Sequence, residues 1–390
     1  MLKKLEDAYF EGKRVLVRVD YNVPLKDGKV ADDERLKASL PTIEFLLKKK
    51  CSIILMSHLG RPNGKVADEM KLDSIADRLS ELLNMKVKKL DDCIGSEVSS
   101  AVEKMEKGEV VLLENLRFHN EEEENNEDFA KALASLADVY VNDAFGASHR
   151  AHASVVGITN FIPGYAGFLL EKEVKTLGNL LKSPKKPFIA VLGGAKASDK
   201  IRLIENLQKK ADKILMGGAM AFTFLKAGGY ETGNSKVEND SVGEAGRLMK
   251  KGKIVLPVDV VIADRFEENA SSKAVCADNI EKGWAGLDIG PETVKIFKKG
   301  LEEAKTIVWN GPMGVFEFDK FAKGTDEIAR FIANSKAATV IGGGDTLAAA
   351  KRAGVYGKFS HTSTGGGAML EFLEGKKLPA IEALERAKLK

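Results

Sequence analysis

Short, almost wholly apolar runs alternate with amphipathic helical patterns along this chain, and that alternation leaves few folds open. Arg14–Asp20 (RVLVRVD), Ser52–Ser57, Val110–Leu113 and Val139–Val141 read as strands. Helical patterns lie among them at Asp33–Lys49, Leu72–Leu83, Ser96–Lys107 and Glu127–Leu136, the first expected to break in two at Pro41. From Phe188 the alternation restarts: Phe188–Leu192, Ile214–Met216, Ile254–Ile262, Thr306–Trp309 and Ala338–Ile341 are strands with helical patterns between them. Strands apolar on both faces, each followed by a helix, predict parallel sheets covered by helices on both sides. At 390 residues the chain is long for one core, so two doubly wound, Rossmann-like α/β domains are expected. The helical run Phe168–Leu181, closed by Ser183-Pro184-Lys185-Lys186-Pro187, reads as the connector between them.

Composition removes several classes of function. Basic residues are abundant but balanced, 60 against 57 acidic for a net charge of +3, which argues against a general nucleic-acid binder. No stretch approaches the apolar length of a membrane span, and the N-terminal MLKKLEDAYFEGK lacks the apolar core of a secretion signal; a cytoplasmic location is expected. Cys51, Cys93 and Cys276 are far apart without zinc-type spacing; Cys51 and Cys276 sit in apolar runs, so buried free thiols in a reducing compartment are expected. The acidic run Glu121–Glu124 reads as a solvated loop or helix start, and the pair His149/His152 has no third metal ligand at hand.

In open α/β sheets ligands bind at the carboxyl ends of the strands, so those ends locate the candidate chemistry. In the first half they deliver Asp20-Tyr21-Asn22, Ser57-His58-Leu59-Gly60-Arg61, Glu114-Asn115-Leu116-Arg117, and Asn142-Asp143 leading to Arg150; Arg35 opens the helix after the first strand. Guanidinium forks in that number suit a small, multiply charged anion bearing phosphate and carboxylate groups. In the second half the ends deliver bare backbone: Gly193-Gly194, Gly217-Gly218, Asn310-Gly311-Pro312, Gly342-Gly343-Gly344-Asp345-Thr346 and Thr364-Gly365-Gly366-Gly367. The run Phe188–Lys200 is a strand, a glycine turn and a helix start capped by Ser198 or Asp199, with Lys196 and Lys200 adding charge: an anion site. Such turns suit a nucleotide, and Asp345 is placed to hold a magnesium ion on its phosphates. No G-x-x-x-x-G-K-[ST] occurs, which excludes a P-loop, and Asp-Tyr-Asn after the first strand argues against a dinucleotide fingerprint.

RVDYNVP (18–24), SHLGRP (57–62), ENLRF (114–118), NDAFGASHRAHAS (142–154), LGGAKASDKI (192–201), GGAM (217–220), WNGPMGVFE (309–317), GGGDT (342–346) and STGGGA (363–368) together resemble the phosphoglycerate kinase family over nearly the whole chain. Tyr21, where that family often has phenylalanine, is a mild departure. The resemblance implies reversible phosphoryl transfer between 1,3-bisphosphoglycerate and MgADP, giving 3-phosphoglycerate and MgATP, by direct in-line transfer as two domains close over the cleft between them. It implies a 3-phosphoglycerate-binding domain over residues 1–170 plus 376–390, a connecting helix over 171–186, and a nucleotide-binding domain over 187–375. Asp20, Asn22, Arg35, His58, Leu59, Gly60, Arg61, Arg117 and Arg150 would bind 3-phosphoglycerate. Gly194, Lys196, Lys200, Gly217, Gly218, Gly286, Pro312, Val315, Glu317, Gly343, Gly344, Asp345 and Thr346 would bind the nucleotide, with Glu317 on the ribose and Asp345 on Mg2+. Arg35, Lys196 and Gly366 would be catalytic, and Leu378–Lys390 would pack on the N-terminal domain and form part of a hinge. No nucleic acid, no membrane and a monomeric chain are the implied partners. A different small-molecule kinase would share the glycine half and differ in the arginines; a non-enzymatic polyanion binder would show steep salt dependence and no turnover.

Overall fold

The structure, a computed structural model, describes residues 2–387. It divides into two compact units: residues 1–175 with 377–390, and residues 176–376. Residues 388–390, the end of the expected C-terminal segment, lie outside the described residues.

Unit 1 is built on a six-stranded sheet of β1 (Arg14–Arg18), β2 (Ser52–Met56), β3 (Val87–Lys89), β4 (Val110–Leu112), β5 (Val139–Asn142) and β6 (Gly164–Ala166). Their order is β3-β4-β2-β1-β5-β6, and every pairing is parallel. The strands β2, β3 and β4 all lie on one side of β1, with β3 at the edge, and the chain then crosses to β5 on the other, so the β1/β5 boundary is the topological switch point. All five residues of β2 are buried, as expected of a strand covered on both faces. The helix Glu34–Lys48 runs unbroken through Pro41, contrary to the expectation of two helices. Proline removes one backbone donor, and burial of Leu36, Ile43 and Leu46 on either side of it holds the helix together. A C-terminal helix, Pro379–Arg386, packs on this unit: Ala380 N–H donates to Ser148 O at 3.2 Å, and Lys3 Nζ donates to Ala387 O.

Unit 2 carries β7 (Phe188–Leu192), β8 (Lys213–Met216), β9 (Ile254–Val255), β10 (Asp259–Ala263), β11 (Ser272–Cys276), β12 (Ala285–Ile289), β13 (Thr306–Asn310), β14 (Ala338–Gly342) and β15 (His361–Ser363). Six of them form a parallel sheet in the order β9-β8-β7-β13-β14-β15. Its switch point lies between β7 and β13. The expected strand Ile254–Ile262 is two strands: β9 closes the parallel sheet, and β10 is the centre of a separate antiparallel sheet ordered β11-β10-β12. Pro257 lies between them, where a missing N–H stops a ladder. Cys276 is exposed rather than buried, because β11 has only one neighbour and shows most of its residues to solvent. Cys51 and Cys93 are buried.

The C-terminal helix should be integral to unit 1. Leu384 is fully buried, and a Cβ added at Gly164 would lie 2.9 Å from its Cδ2. Leu384→Ala is expected to destabilise unit 1 by about 2–5 kcal/mol in urea unfolding followed by circular dichroism; a loss under about 1 kcal/mol would mean the helix contributes little.

Candidate active site

In unit 1 the loops leaving β1, β2, β4 and β5 converge at one rim of the sheet. Arg35, in the first turn of its helix, donates from Nη1 to Asp20 Oδ2 at 2.9 Å and to Asn22 O at 3.1 Å. Asn22 Oδ1 accepts from Gly60 N–H at 2.9 Å, and Gly60 O accepts from Arg117 Nη1 at 2.7 Å. Asn115 clamps Leu59 through both its backbone groups, at 3.2 and 2.8 Å. Glu123 Oε1 lies 3.1 Å from Arg117 Nη2 and 3.9 Å from Arg150 Nη1. Arg61 lies exposed on the loop after β2.

His58 sits buried among these cations. Burial, and then the charges of Arg18, Arg117, Arg150 and Arg35, hold its pKa well below 6.5, so the ring is neutral. Its Nδ1 is 3.1 Å from Arg18 Nη2. A guanidinium can only donate, so Nδ1 accepts and the ring proton sits on Nε2. Arg117 is pulled down to about 10, first by burial, and its Nε is buried with no hydrogen-bond partner. An under-satisfied guanidinium among like charges is what an anion would complete.

Beneath these groups lies a network the sequence reading missed. Arg18, 1% exposed, donates from Nε to Ser154 Oγ at 2.8 Å and from Nη1 to Val19 O. Glu122, expected to be solvated, is fully buried; it accepts from Ser154 N–H at 2.9 Å and Oγ–H at 2.6 Å and lies 3.9 Å from Arg18 Nη2. Burial opposes its ionisation, but His152, Arg18 and Ser154 outweigh burial and keep its pKa below the usual carboxyl value. His152 thus lies beside a carboxylate, Nδ1 to Oε1 3.7 Å. A charged residue inside the apolar run RVLVRVD was the available signal, because an arginine buried on a central strand requires a partner.

In unit 2 the ends of β7, β8 and β13 are tied through backbone. Gly194 N–H donates to Pro312 O at 3.0 Å, Gly217 N–H to Leu192 O at 2.9 Å and Gly218 N–H to Met313 O at 2.8 Å. The fit leaves no room for a side chain: a Cβ at Gly286 would fall 2.0 Å from Phe222 Cζ. Gly343 precedes the helix Gly344–Arg352 at φ +100°, a conformation open to glycine. At the switch point Lys200 is buried and donates to Gly193 O at 2.7 Å and to Asn310 O and Oδ1 at 3.1 and 2.5 Å. Burial lowers its pKa to about 8, and Asp345 and Asp199 oppose the shift. Asn310 also donates from Nδ2 to Gly342 O at 2.6 Å, and Thr346 Oγ1 accepts from Gly311 N–H at 2.7 Å. Neither Ser198 nor Asp199 caps the following helix. A 3-10 turn over Ser198–Lys200 leads into Ile201–Leu207, and Ser198 N–H and Oγ–H both go to Glu238, each at 2.9 Å.

A cavity of about 560 Å³ opens beside this junction, lined by Gly194, Gly218, Gly286, Pro312, Val315, Glu317 and Asp345, with Phe266 and Phe318 among its apolar walls. A lining of bare backbone, flat apolar side chains and the Asp345 carboxylate suits a planar base carrying phosphates. Asp345 offers one exposed hard oxygen donor at a helix start, the donor chemistry that would suit Mg2+ accompanying a nucleotide. Lys196 is exposed before the turn, and Gly366, at φ +42°, precedes the helix Gly367–Leu373.

Two pH effects follow. Below about pH 6.5 the unfolded chain protonates His58 and the folded chain does not, so stability falls as pH drops through that value. His58→Gln should lose part of this acid sensitivity in melting curves, and the wild-type ring resonance should stay flat through pH 6.5. Binding of a phosphate-bearing ligand to unit 2 should weaken as pH rises through about 8, where Lys200 loses its proton; calorimetric titration that shows constant affinity across that value would disprove a charged role for Lys200.

Comparison with known proteins agrees with this geometry. The family model described as phosphoglycerate kinase matches residues 5–376. A phosphoglycerate kinase of Pelotomaculum thermopropionicum is 54% identical over 387 residues, covering 98% of each chain. One from Moorella thermoacetica is 54% identical over 385 residues, covering 97% of this chain and 98% of the relative. Among solved structures, phosphoglycerate kinase from Coxiella burnetii superposes with a TM-score of 0.90 at 42% identity over 100% of both chains. The enzyme from Pyrococcus horikoshii OT3 gives 0.88 at 37% identity over 98% of both.

Proposed function

The chain belongs to the phosphoglycerate kinase family, and we propose that its two units divide the substrates, the phosphorylated acid on the arginines of unit 1 and the nucleotide in the cavity of unit 2. The enzyme is a phosphotransferase with a carboxyl group as acceptor. It moves a phosphoryl group reversibly between 1,3-bisphosphoglycerate and MgADP, giving 3-phosphoglycerate and MgATP in glycolysis and gluconeogenesis. A single chain is typical of the family. Among the described residues no helix is long and apolar enough to cross a membrane, and we place the enzyme in the cytoplasm.

The observation that carries the division is the contrast between the two rims: clustered guanidinium groups with a neutral histidine in unit 1, glycine backbone around a cavity in unit 2. On this reading residues 1–170 with 376–390 bind 3-phosphoglycerate, 171–186 connect, and 187–375 bind nucleotide. Asp20, Asn22, Arg35, His58, Leu59, Gly60, Arg61, Arg117 and Arg150 hold the acid. Arg35 neutralises its reacting carboxylate, and His58 Nε2–H offers a neutral donor. Gly194, Gly217, Gly218, Gly286, Pro312 and Val315 shape the base and phosphate site, Glu317 takes the ribose, and Lys200 with Gly343, Gly344, Asp345 and Thr346 takes the phosphates. Asp345 would hold Mg2+, which would supply charge neutralisation on the phosphate oxygens.

Both nucleophiles, a carboxylate in one direction and a diphosphate oxygen in the other, are already ionised at neutral pH, so no general base is required. Catalysis reduces to alignment, exclusion of water and stabilisation of charge on the phosphoryl in flight. We assign that last task to Lys196, Arg35 and the Gly366 backbone N–H. Because the substrates lie on different units, the units must close for in-line transfer. ADP formation from MgATP should depend on 3-phosphoglycerate when the acyl phosphate product is continuously removed. Lys196→Ala or Arg35→Ala should lower kcat by about 10²–10³ with little change in Tm; near-normal kcat in either variant would refute its assigned role.

A further inference from the structure

At the far edge of the unit 1 sheet, three side chains that the phosphoryl-transfer reaction does not use converge. Cys93 follows β3, and His119 follows the turn Leu116–Phe118 beyond β4. Among the described residues, Asp92, Cys93 and His119 form the one group of three whose ligand atoms all lie within 4.8 Å of one another. We propose that they form a binding site for a borderline divalent transition-metal ion of the Zn2+ class, ligated by the Cys93 thiolate, His119 Nε2 and the Asp92 carboxylate, with solvent as fourth ligand.

Geometry and donor chemistry both support this. A tetrahedral Zn2+, at about 2.0 Å from nitrogen or oxygen and about 2.3 Å from sulfur, separates one sulfur, one nitrogen and one oxygen by about 3.3–3.5 Å, within the 4.8 Å that contains these three atoms. A mixed S, N, O set selects Zn2+ or Co2+ over the hard Mg2+ used with nucleotide. The ligands are held in place before any ion arrives. Asp92 Oδ1 accepts from Cys93 N–H at 2.7 Å and lies 2.7 Å from His119 Nε2, while Asp92 O accepts from Glu114 N–H at 3.3 Å. Cys93 is buried, His119 half-buried and Asp92 exposed, so the site has a fixed sulfur floor and an open mouth. The ion would replace the His119–Asp92 hydrogen bond and the thiol proton would pass to solvent. It would also tether the segment that runs from Arg117 to the buried Glu122.

Co2+ titration of the full chain, without nucleotide or phosphorylated acid, tests the proposal. One equivalent should produce a near-ultraviolet thiolate-to-metal band with intense tetrahedral visible absorption, and Zn2+ should displace it. Cys93→Ser should abolish the band, and His119→Gln, on a more exposed side chain, should weaken binding at least about tenfold while the melting curve confirms folding. The exposed Cys276 is the internal control. Absence of the band in wild type, its survival in Cys93→Ser, or its loss in Cys276→Ser would each overturn the site.

Discussion

Parallel pairing is the constraint on which the rest depends. In each six-stranded sheet every strand runs the same way, so every carboxyl end emerges at one rim and every connection must return across a face, mostly as a helix and between β5 and β6 through 3-10 turns. Residues far apart in sequence, such as Asp20, His58, Arg117 and Arg150, or Gly194, Gly218, Asn310 and Asp345, meet there without further instruction. The crossing point in each order adds a crevice, because the loops at β1 and β5, or at β7 and β13, leave in opposite directions.

What the rims hold differs because the charges are managed differently. Unit 1 concentrates guanidinium groups, and that concentration would be unfavourable without a buried counter-charge. Glu122, held by Ser154 and beside His152, supplies it beneath Arg18, while Glu123 rests on Arg117 and Arg150 at the surface. The neutral His58 adds a donor without adding a charge. Unit 2 buries one ammonium, Lys200, against three carbonyl oxygens from two strand ends. Asn310 therefore joins β13, β14 and Lys200 in one polar knot, and its loss would leave a buried cation poorly paired.

Much of this was readable from the chain. The apolar runs and their alternation with helical patterns put Asp20, His58, Arg117 and Arg150 after strands of one sheet, and Gly194, Gly218 and Asp345 after strands of the other, as the structure has them. The misreadings have local causes. Propensity alone would break the helix at Pro41, while burial on both sides of it decides the outcome. Ile254–Ile262 reads as one run because all but Pro257 and Asp259 are aliphatic, yet Pro257 lies where one strand ends and the next begins. Glu122 was hidden in a run of glutamates whose neighbours are solvated, and Cys276 lies on an edge strand whose exposure depends on what it pairs with.

By itself the sequence determined the fold class, the contrast between an arginine rim and a glycine rim, and the family, because these depend on residue type and on spacing along one strand or helix. Tertiary structure alone decided which carboxylate neutralises Arg18, why His58 is neutral, how Asn310 holds Lys200, and that Asp92, Cys93 and His119 meet. Those outcomes depend on burial and on distances between separate strand ends, which spacing along the chain does not encode.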